Sequence, residues 1–298
     1  MPEKDTRSEN YPTLMQAATA CVFWTVHLTC LLAIWVGVSW VAVAVCLALY
    51  GIRMFAITGG YHRYFSHRSF QTSRPFQFVL ALLGCTSAQK GPIWWASHHR
   101  HHHKYSDTEN DVHSPKVSGL YHAHMGWVLS KQYKHTETAL VKDLDRFPEL
   151  QFLGRLYMLP PILLATATYY LGAGLDNAFP ALQTSGPPML VWGFFVSTVL
   201  LYHGTFSINS FTHLIGKQRF NTSDDSRNHW LLALITLGEG WHNNHHRYPG
   251  SERQGMYWWE IDMTHYGLVV LSKIGLVWDL RSYPQIIYAE AASNRLAA

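Results

Sequence analysis

Two long stretches of the chain carry almost no charge, and they limit what it can fold into. Residues 10–52 contain no Asp, Glu, Lys or Arg, and residues 156–216 contain only one such residue, Asp176. A helix of forty-three residues would be about 65 Å long, whereas the hydrocarbon core of a bilayer is about 30 Å thick. Each stretch therefore fits two membrane-spanning helices joined by a tight turn.

The overall composition also indicates a membrane protein. Hydrophobic residues make up 48% of the chain and charged residues 14%, against about a quarter charged in an average soluble domain. The first stretch begins too late and is too long for a cleaved signal peptide, so we expect it to be retained. The sequence predicts an all-α integral membrane fold with four transmembrane helices, near 15–35, 38–58, 152–172 and 189–210.

The basic residues predict how these spans are oriented. None of the 23 Lys and Arg residues falls in the two predicted outer turns, near 36–38 and 172–187. Lys and Arg accumulate on the cytoplasmic side of membrane proteins. We therefore expect a multi-pass protein with both termini in the cytoplasm, in a bacterial inner membrane or the endoplasmic reticulum.

The remaining polar segments, from about 59 to 151 and from about 211 to 298, should form a cytosolic helical cap. Apolar residues from Pro75 to Trp95 recur at helical spacing and predict a helix along the membrane surface. No linker or repeat divides the chain, so residues 1–298 are expected to form a single domain. The net charge of +4 accompanies no nucleic-acid-binding motif, and no nucleic-acid partner is expected.

Histidines form three clusters in the predicted cap. The clusters run from His62 to His67, from His98 to His103 and from His242 to His246. Residues at i, i+3 and i+4 share one face of a helix, so each H-x-x-H-H pattern is expected to present three imidazoles to a common centre. His62 and His67, five residues apart, would point about 140° apart on an α-helix and so suit two neighbouring metals.

The spacing leaves one ambiguity, because the second cluster contains two overlapping H-x-x-H-H patterns. One is formed by His98, His101 and His102, the other by His99, His102 and His103. A histidine-rich tract can also be a surface run that binds metal incidentally, but three clusters on one predicted side of the membrane disfavour that interpretation. Cys21, Cys30, Cys46 and Cys85 show no C-x-x-C spacing and predict packing residues.

Eight or nine imidazoles would fill two metal sites. Neutral nitrogen ligands suit iron, and two irons can share one dioxygen molecule. Soluble di-iron bundles instead use Glu together with Glu-x-x-His pairs, a pattern that is missing here.

The three clusters resemble the histidine boxes of membrane acyl desaturases of the stearoyl-CoA desaturase type. The resemblance runs from about Gly59 to Asp279 and includes Gly126-Trp127 and the segment from Asn209 to His213. It implies an O2-dependent di-iron fatty acyl desaturase that introduces a cis double bond, expected at position Δ9, into a saturated acyl chain.

The resemblance also favours the pattern formed by His99, His102 and His103. In the family the second histidine box leads directly into Lys-aromatic-Ser, as this pattern does. The resemblance implies two iron ions and the metal ligands His62, His67, His99, His102, His103, His213, His242, His245 and His246, with Asn209 reaching one metal through water.

Further residues are assigned roles around this centre. Metal-bound histidines usually donate their second ring N–H to a carboxylate or carbonyl, and Asp107, Asp111 and Glu239 are the nearest acidic candidates. Asp111-Val112-His113 departs from the Asp-Pro-His common in the family. Trp95, four residues before His99, is expected to touch the acyl chain.

The chain has no nucleotide-binding glycine fingerprint and no haem-binding segment. Electrons should therefore come from a separate ferredoxin, rubredoxin or cytochrome b5 type donor on the basic face. A membrane hydroxylase or monooxygenase with a similar di-iron site is the nearest alternative function. A metal transporter is disfavoured, because only His27 and His203 fall well inside the predicted spans.

The acyl carrier is left open by the sequence. Animal acyl-CoA desaturases tend to carry Arg where this chain has Ser97, and a basic pair where it has Ser130-Lys131. The substrate is therefore expected to be an acyl-CoA or an acyl chain in membrane lipid, with carrier protein as a third possibility.

Overall fold

The computed structural model describes residues 13–297, and the side chains of residues 16–294, as a helical membrane protein. The α-helices are α1 (Thr13–Thr29), α2 (Ala33–Val36), α3 (Trp40–Phe55), α4 (Arg74–Cys85), α5 (Pro92–Tyr105), α6 (Pro115–Tyr121), α7 (Trp127–Leu129), α8 (Lys142–Asp145), α9 (Pro148–Arg155), α10 (Leu159–Ala178), α11 (Gly186–Pro188), α12 (Ser197–Ser210), α13 (Trp230–Ile235), α14 (His242–Arg247), α15 (Met263–Lys273) and α16 (Gln285–Ala297).

Other helix types continue or join several of these segments. The π-helices are Ala56–Ser66, His122–Gly126 and Met189–Val196, and the 3-10 helices are Cys30–Leu32, Thr138–Leu140, Pro180–Leu182 and Phe211–His213. The fold departs from the predicted all-α architecture in a short antiparallel pair of β1 (Gln71–Thr72) and β2 (Val277–Trp278) and in two isolated β-bridges that Asn228 forms with Lys217 and Trp241. Gln71 pairs with Trp278 and Thr72 with Val277.

Three helical segments are long and apolar enough to cross a membrane. They are Gln16–Val36, Trp40–Ser66 and Gly186–His213. A fourth candidate is the pair Pro148–Arg155 and Leu159–Ala178, which is bent by 67°. The turn predicted near 36–38 is confirmed, since α2 ends at Val36 and α3 begins at Trp40.

The third predicted span, at 152–172, does not form one continuous helix. Pro160 and Pro161 lie in the first turn of α10. Backbone N–H groups in the first turn of a helix have no acceptor within the helix, so proline, which lacks this group, is tolerated there. A helix that ran on from α9 would need those N–H groups, and the proline rings would clash with its preceding turn. The helix therefore stops at Arg155 and starts again at Leu159.

The predicted surface helix from Pro75 to Trp95 is also wrong in its extent. Two helices replace it, α4 and α5, separated by a loop in which Ala88 and Lys90 adopt positive φ angles of 56° and 69°. L-residues rarely adopt this conformation. The Tyr61 hydroxyl donates to the Lys90 carbonyl at 3.0 Å and the Tyr202 hydroxyl to the Ala88 carbonyl at 3.2 Å. Buried tyrosines thus hold this loop in place.

The second span meets α4 at close range. Tyr61, on the π-helix that follows α3, is fully buried in a core cluster with Phe65, Leu80 and Leu150. A Cβ atom placed on Gly84 of α4 would lie 2.1 Å from a ring carbon of Tyr61. Only glycine lets the two helices approach this closely, which fixes the π-helix that carries His62.

Gly84→Ala should therefore destabilise the protein by about 1–3 kcal/mol, because overpacking forces a rigid ring to move. The matched control is Gly174→Ala in α10, where an added Cβ meets nothing within 4 Å. Thermal unfolding of both variants in detergent measures the difference. Equal melting temperatures for the two variants would contradict the close packing described here.

Candidate metal centre

Nine histidines gather into two clusters, and they are the nine that the family resemblance implied. Within each cluster the potential ligand atoms all lie within 4.8 Å of one another. The first cluster consists of His62, His67, His99, His103 and His245, and the second of His102, His213, His242 and His246.

The contacts within the clusters suit metal ions. The Nε2 atoms of His62 and His245 are 3.0 Å apart, and those of His67 and His99 are 2.8 Å apart. Metal–imidazole bonds are about 2.0–2.1 Å long, so adjacent ligands at right angles around one ion lie about 3 Å apart. In the second cluster the Nε2 atoms of His102 and His246 are buried without a hydrogen-bond partner. The clusters therefore suit a metal site.

Each H-x-x-H-H pattern serves both clusters, so the expectation of one common centre per pattern is wrong. α5 contributes His99 and His103 to the first cluster and His102 to the second. α14 contributes His242 and His246 to the second cluster and His245 to the first. On an α-helix the i+3 and i+4 positions lie about 100° apart, so one helix that stands between two centres can reach both.

The expected separation of His62 and His67 is wrong as well. Both belong to the first cluster, with ring centroids 4.8 Å apart. The segment from Ala56 to Ser66 is a π-helix rather than an α-helix, and the His67 N–H donates to the His62 carbonyl at 3.2 Å. This i to i+5 bond brings together two residues that an α-helix would point apart.

Carboxylates orient four of the nine imidazoles through Nδ1. His213 Nδ1 donates to Asp107 at 2.8 Å, and His102 Nδ1 donates to Asp111 at 2.9 Å. His62 Nδ1 donates to Glu239 at 2.5 Å. All three acids predicted from the sequence are thus confirmed as hydrogen-bond partners of the clustered histidines. Such bonds leave the Nε2 lone pair free for a metal.

Asp224 is the fourth carboxylate, and sequence analysis missed it. It accepts a hydrogen bond from His246 Nδ1 at 2.6 Å. Asp224 lies twenty-two residues before His246 in a segment without regular secondary structure, so no helical spacing indicated it. Only the tertiary fold brings the two together.

A buried arginine holds Glu239 in position. Arg63, 1% exposed, donates to Glu239 Oε1 at 3.0 Å and to Asp262 Oδ1 at 2.9 Å. Gln254 donates to the other oxygen of Glu239 at 2.6 Å. A buried carboxylate needs such partners to remain charged. Glu239 is thereby kept as an acceptor for His62.

The surroundings favour the neutral form of six of the nine clustered imidazoles, whereas at His102 burial is outweighed by the charge and hydrogen bond of nearby carboxylates, chiefly Asp111, and the pKa is raised. Burial, reinforced by neighbouring histidines, lowers the pKa of several of them well below the ordinary value, namely His67, His99, His103, His242 and His245. Burial also lowers the pKa of His246 to about 4, although Asp224 acts in the opposite direction. Neutral imidazole is the form that binds metal.

The structure resolves the register of the second histidine tract. His98 and His101 belong to neither cluster: His98 Nδ1 contacts the Trp94 carbonyl at 2.9 Å, and His101 Nδ1 contacts Glu137 at 3.0 Å. His113 forms a further group with His102 and Asp111. Because Asp111 already accepts from His102, this group supports the second cluster.

Two other predicted site residues border the clusters. The Trp95 ring stacks on His99 at a centroid distance of 5.1 Å. Asn209 lies outside both clusters, one helical turn before His213. Both residues line two cavities that meet at this point.

The larger cavity, of about 540 Å³, is mainly apolar and reaches from α1 and α10 to His99 and Asn209. The smaller one, of about 30 Å³, is bordered by His62 and His99 of the first cluster and by His102 and His242 of the second. An elongated apolar cavity thus ends where the two clusters meet.

The description "Fatty acid desaturase" belongs to the family whose sequence model matches residues 38–272. The chain belongs to the fatty acid desaturase family. Together with its apolar helices, this membership makes the chain a membrane protein and an oxidoreductase that acts on fatty acyl chains.

Several relatives of this desaturase have curated functions. It is 37% identical over 287 residues to the palmitoyl-monogalactosyldiacylglycerol delta-7 desaturase of Arabidopsis thaliana, covering 95% of this chain and 72% of the relative. It is 38% identical to an sn-1 stearoyl-lipid 9-desaturase of Anabaena variabilis (82% and 85% covered). It is 37% identical to an acyl-CoA C20 Delta5-desaturase of Anemone leveillei (82% and 75% covered). By name, these relatives differ in acyl carrier and in bond position.

Asp224→Asn should weaken metal binding by about 10–100-fold, the usual cost of losing a carboxylate behind a histidine ligand. The control is Asp225→Asn, which removes only an ion pair to Lys116 that lies at the surface. Iron content of the purified desaturase after competition with a chelator measures the effect. Equal iron retention by the two variants would show that Asp224 does not support a metal site.

Proposed function

We propose that this desaturase binds two iron ions and uses O2 to introduce a cis double bond into a saturated acyl chain. The observation that carries the proposal is the pair of adjacent all-histidine clusters at the end of an apolar cavity. The balanced reaction converts –CH2–CH2– with O2, two electrons and two protons to –CH=CH– and two waters. Iron bound at the clusters would supply the oxidising power that removal of hydrogen from an unactivated chain requires.

The ligands proposed for the two irons are the members of the two clusters. Five nitrogens are available at the first site and four at the second. The second site, with fewer nitrogens, has Asn209 one turn away from His213, and we propose that Asn209 completes it through a water. The all-nitrogen donor set is consistent with iron, although imidazole also suits other transition metals.

The cavity would determine which bond reacts. Trp95 lies against His99 and lines both cavities, so we propose that its indole packs on the acyl chain beside the metals. A chain held by such walls presents one pair of methylenes to the irons. The distance from the head group to that point would set the bond position, for which we propose Δ9, as in the stearoyl-lipid relative.

The membrane arrangement forms part of the proposal. We propose four spans, with the bent pair α9 and α10 supplying the third, in one domain whose two termini face the cytoplasm, in a bacterial inner membrane or the endoplasmic reticulum. The clusters follow the ends of the second and fourth spans, so in this arrangement both irons would lie at the cytoplasmic surface. A ferredoxin, rubredoxin or cytochrome b5 type donor would deliver electrons there.

His99→Ala should abolish desaturation, because it removes a nitrogen from the first cluster and the stacking partner of Trp95. His101→Ala is the matched control, since His101 lies on the same helix but outside both clusters. Gas chromatography with mass spectrometry of total fatty acids from an expressing host, with double bonds located by derivatisation, measures the product. Iron analysis of the purified chains accompanies it.

The expected result is a new monounsaturated acid with wild type and His101→Ala but none with His99→Ala, and about two irons per wild-type chain. A hydroxylated acid in place of an alkene would identify a hydroxylase. A wild-type chain that retains no iron would contradict the di-iron proposal.

A further inference from the structure

The larger cavity opens sideways through the part of the protein that crosses the membrane. Its walls include Ala18 and Val22 of α1, and Ile162 and Thr166 of α10. All four are exposed, Val22 by 46% and Ile162 by 55%. Both helices belong to candidate membrane spans, so the surface around this opening faces lipid. A chain could enter the cavity laterally from the bilayer.

A third cavity, which we call the cationic groove, adjoins the larger one. It has a volume of about 490 Å³, and its walls include Lys90, Lys134 and Arg155. Lys90, Trp94 and Tyr157 line both the groove and the larger cavity. The two spaces are therefore neighbours across these side chains.

The positive charge of the groove is largely uncompensated. Within residues 13–297, Lys90, Lys134 and Arg155 form no ion pair. Lys90 donates to the Tyr157 hydroxyl at 3.0 Å, and Lys134 donates to the Val128 carbonyl.

Among the residues that the structure describes, the one carboxylate in the wall of the groove is that of Asp145, which already accepts a hydrogen bond from Gln151. Burial, and after it the charge of Lys90, lowers the pKa of Lys134 to about 8. A bound anion would relieve the repulsion between the two lysines.

The groove also lies beside the N-terminal end of α10, which belongs to a candidate membrane span. Arg155 ends α9 and Tyr157 precedes the start of α10 at Leu159, so both flank the end of an apolar helix. Arg and Tyr at such ends mark the membrane–water interface. The lateral opening begins three residues further along α10, at Ile162.

We propose that the acyl carrier is a membrane phospholipid, whose chain enters between α1 and α10 while its phosphate binds to Lys90, Lys134 and Arg155. This inference rests on the proposed desaturase function and names its substrate class. A diacyl lipid must leave its glycerol and second chain in the bilayer, and therefore needs an opening along the side of the cavity. A water-soluble thioester carrier needs only an opening at the cytoplasmic end.

The test uses membranes from the expressing host after the fatty acid analysis has shown a new double bond. They are supplied with a phosphatidylglycerol whose saturated octadecyl chain is attached by an ether bond, which prevents transfer of that chain to another carrier. Parallel samples receive stearoyl-CoA or stearoyl carrier protein. Mass spectrometry of the recovered lipid locates any double bond.

Unsaturation of the ether-linked chain is the expected result. If that chain stays saturated while the chains of the added thioesters become unsaturated, the carrier proposal is wrong and the desaturase function stands. If the host itself makes no new double bond in the preceding analysis, the proposed function fails first, so the two failures are distinct.

The groove is tested separately with the double variant Lys134→Gln, Arg155→Gln. Its conversion of the ether-linked phosphatidylglycerol should fall about tenfold, because charge-assisted contacts to phosphate are lost. Conversion of an ether-linked galactolipid, which has no phosphate, should change little. Lys273→Gln, an exposed lysine of α15, is the control. An equal loss with both lipids, or no loss with either, would contradict phosphate binding in the groove.

Discussion

Imidazole nitrogens that face one another in a protein interior repel unless a proton or a metal cation lies between them. When Nδ1 of His62 donates to Glu239, its Nε2 carries a lone pair, and that lone pair faces Nε2 of His245 at 3.0 Å. The fold has to hold nine such rings in place. Carboxylates accept hydrogen bonds from Nδ1 of four of these rings, and Arg63 keeps one of the carboxylates, that of Glu239, charged and in position. The surrounding helices are arranged to keep these contacts.

The membrane-spanning part and the histidine clusters are built as one unit. The second span continues through a π-helix directly into His62, and the candidate span Gly186–His213 ends at a second ligand candidate, His213. The cavity runs between the spans and ends beside these same residues. An acyl chain drawn from lipid would therefore meet the metals without crossing water. Membership in the fatty acid desaturase family agrees with this arrangement.

Much of the site was predictable because its signals are local. Histidines three and four residues apart lie near each other on any α-helix, and Asp111 follows His102 closely in the chain. The helix type was not predictable in the same way. His62 and His67 meet because the chain forms a π-helix there, and a period of 3.6 residues cannot anticipate it. Asp224 was missed because it lies in an irregular segment twenty-two residues before His246.

The sequence by itself determined that the chain enters a membrane and that three histidine clusters could bind metal, because apolar length and histidine spacing are properties of short segments. His213 was indicated only by the family resemblance. Only the tertiary structure decided how the histidines are shared between two centres, since α5 and α14 each contribute rings to both clusters. It alone also showed that a cavity is lined by both α1 and α10 and adjoins a groove with three cations that form no ion pair within the described residues. These features join residues that lie far apart in the chain, and the packing of helices, which no local pattern encodes, brings them together.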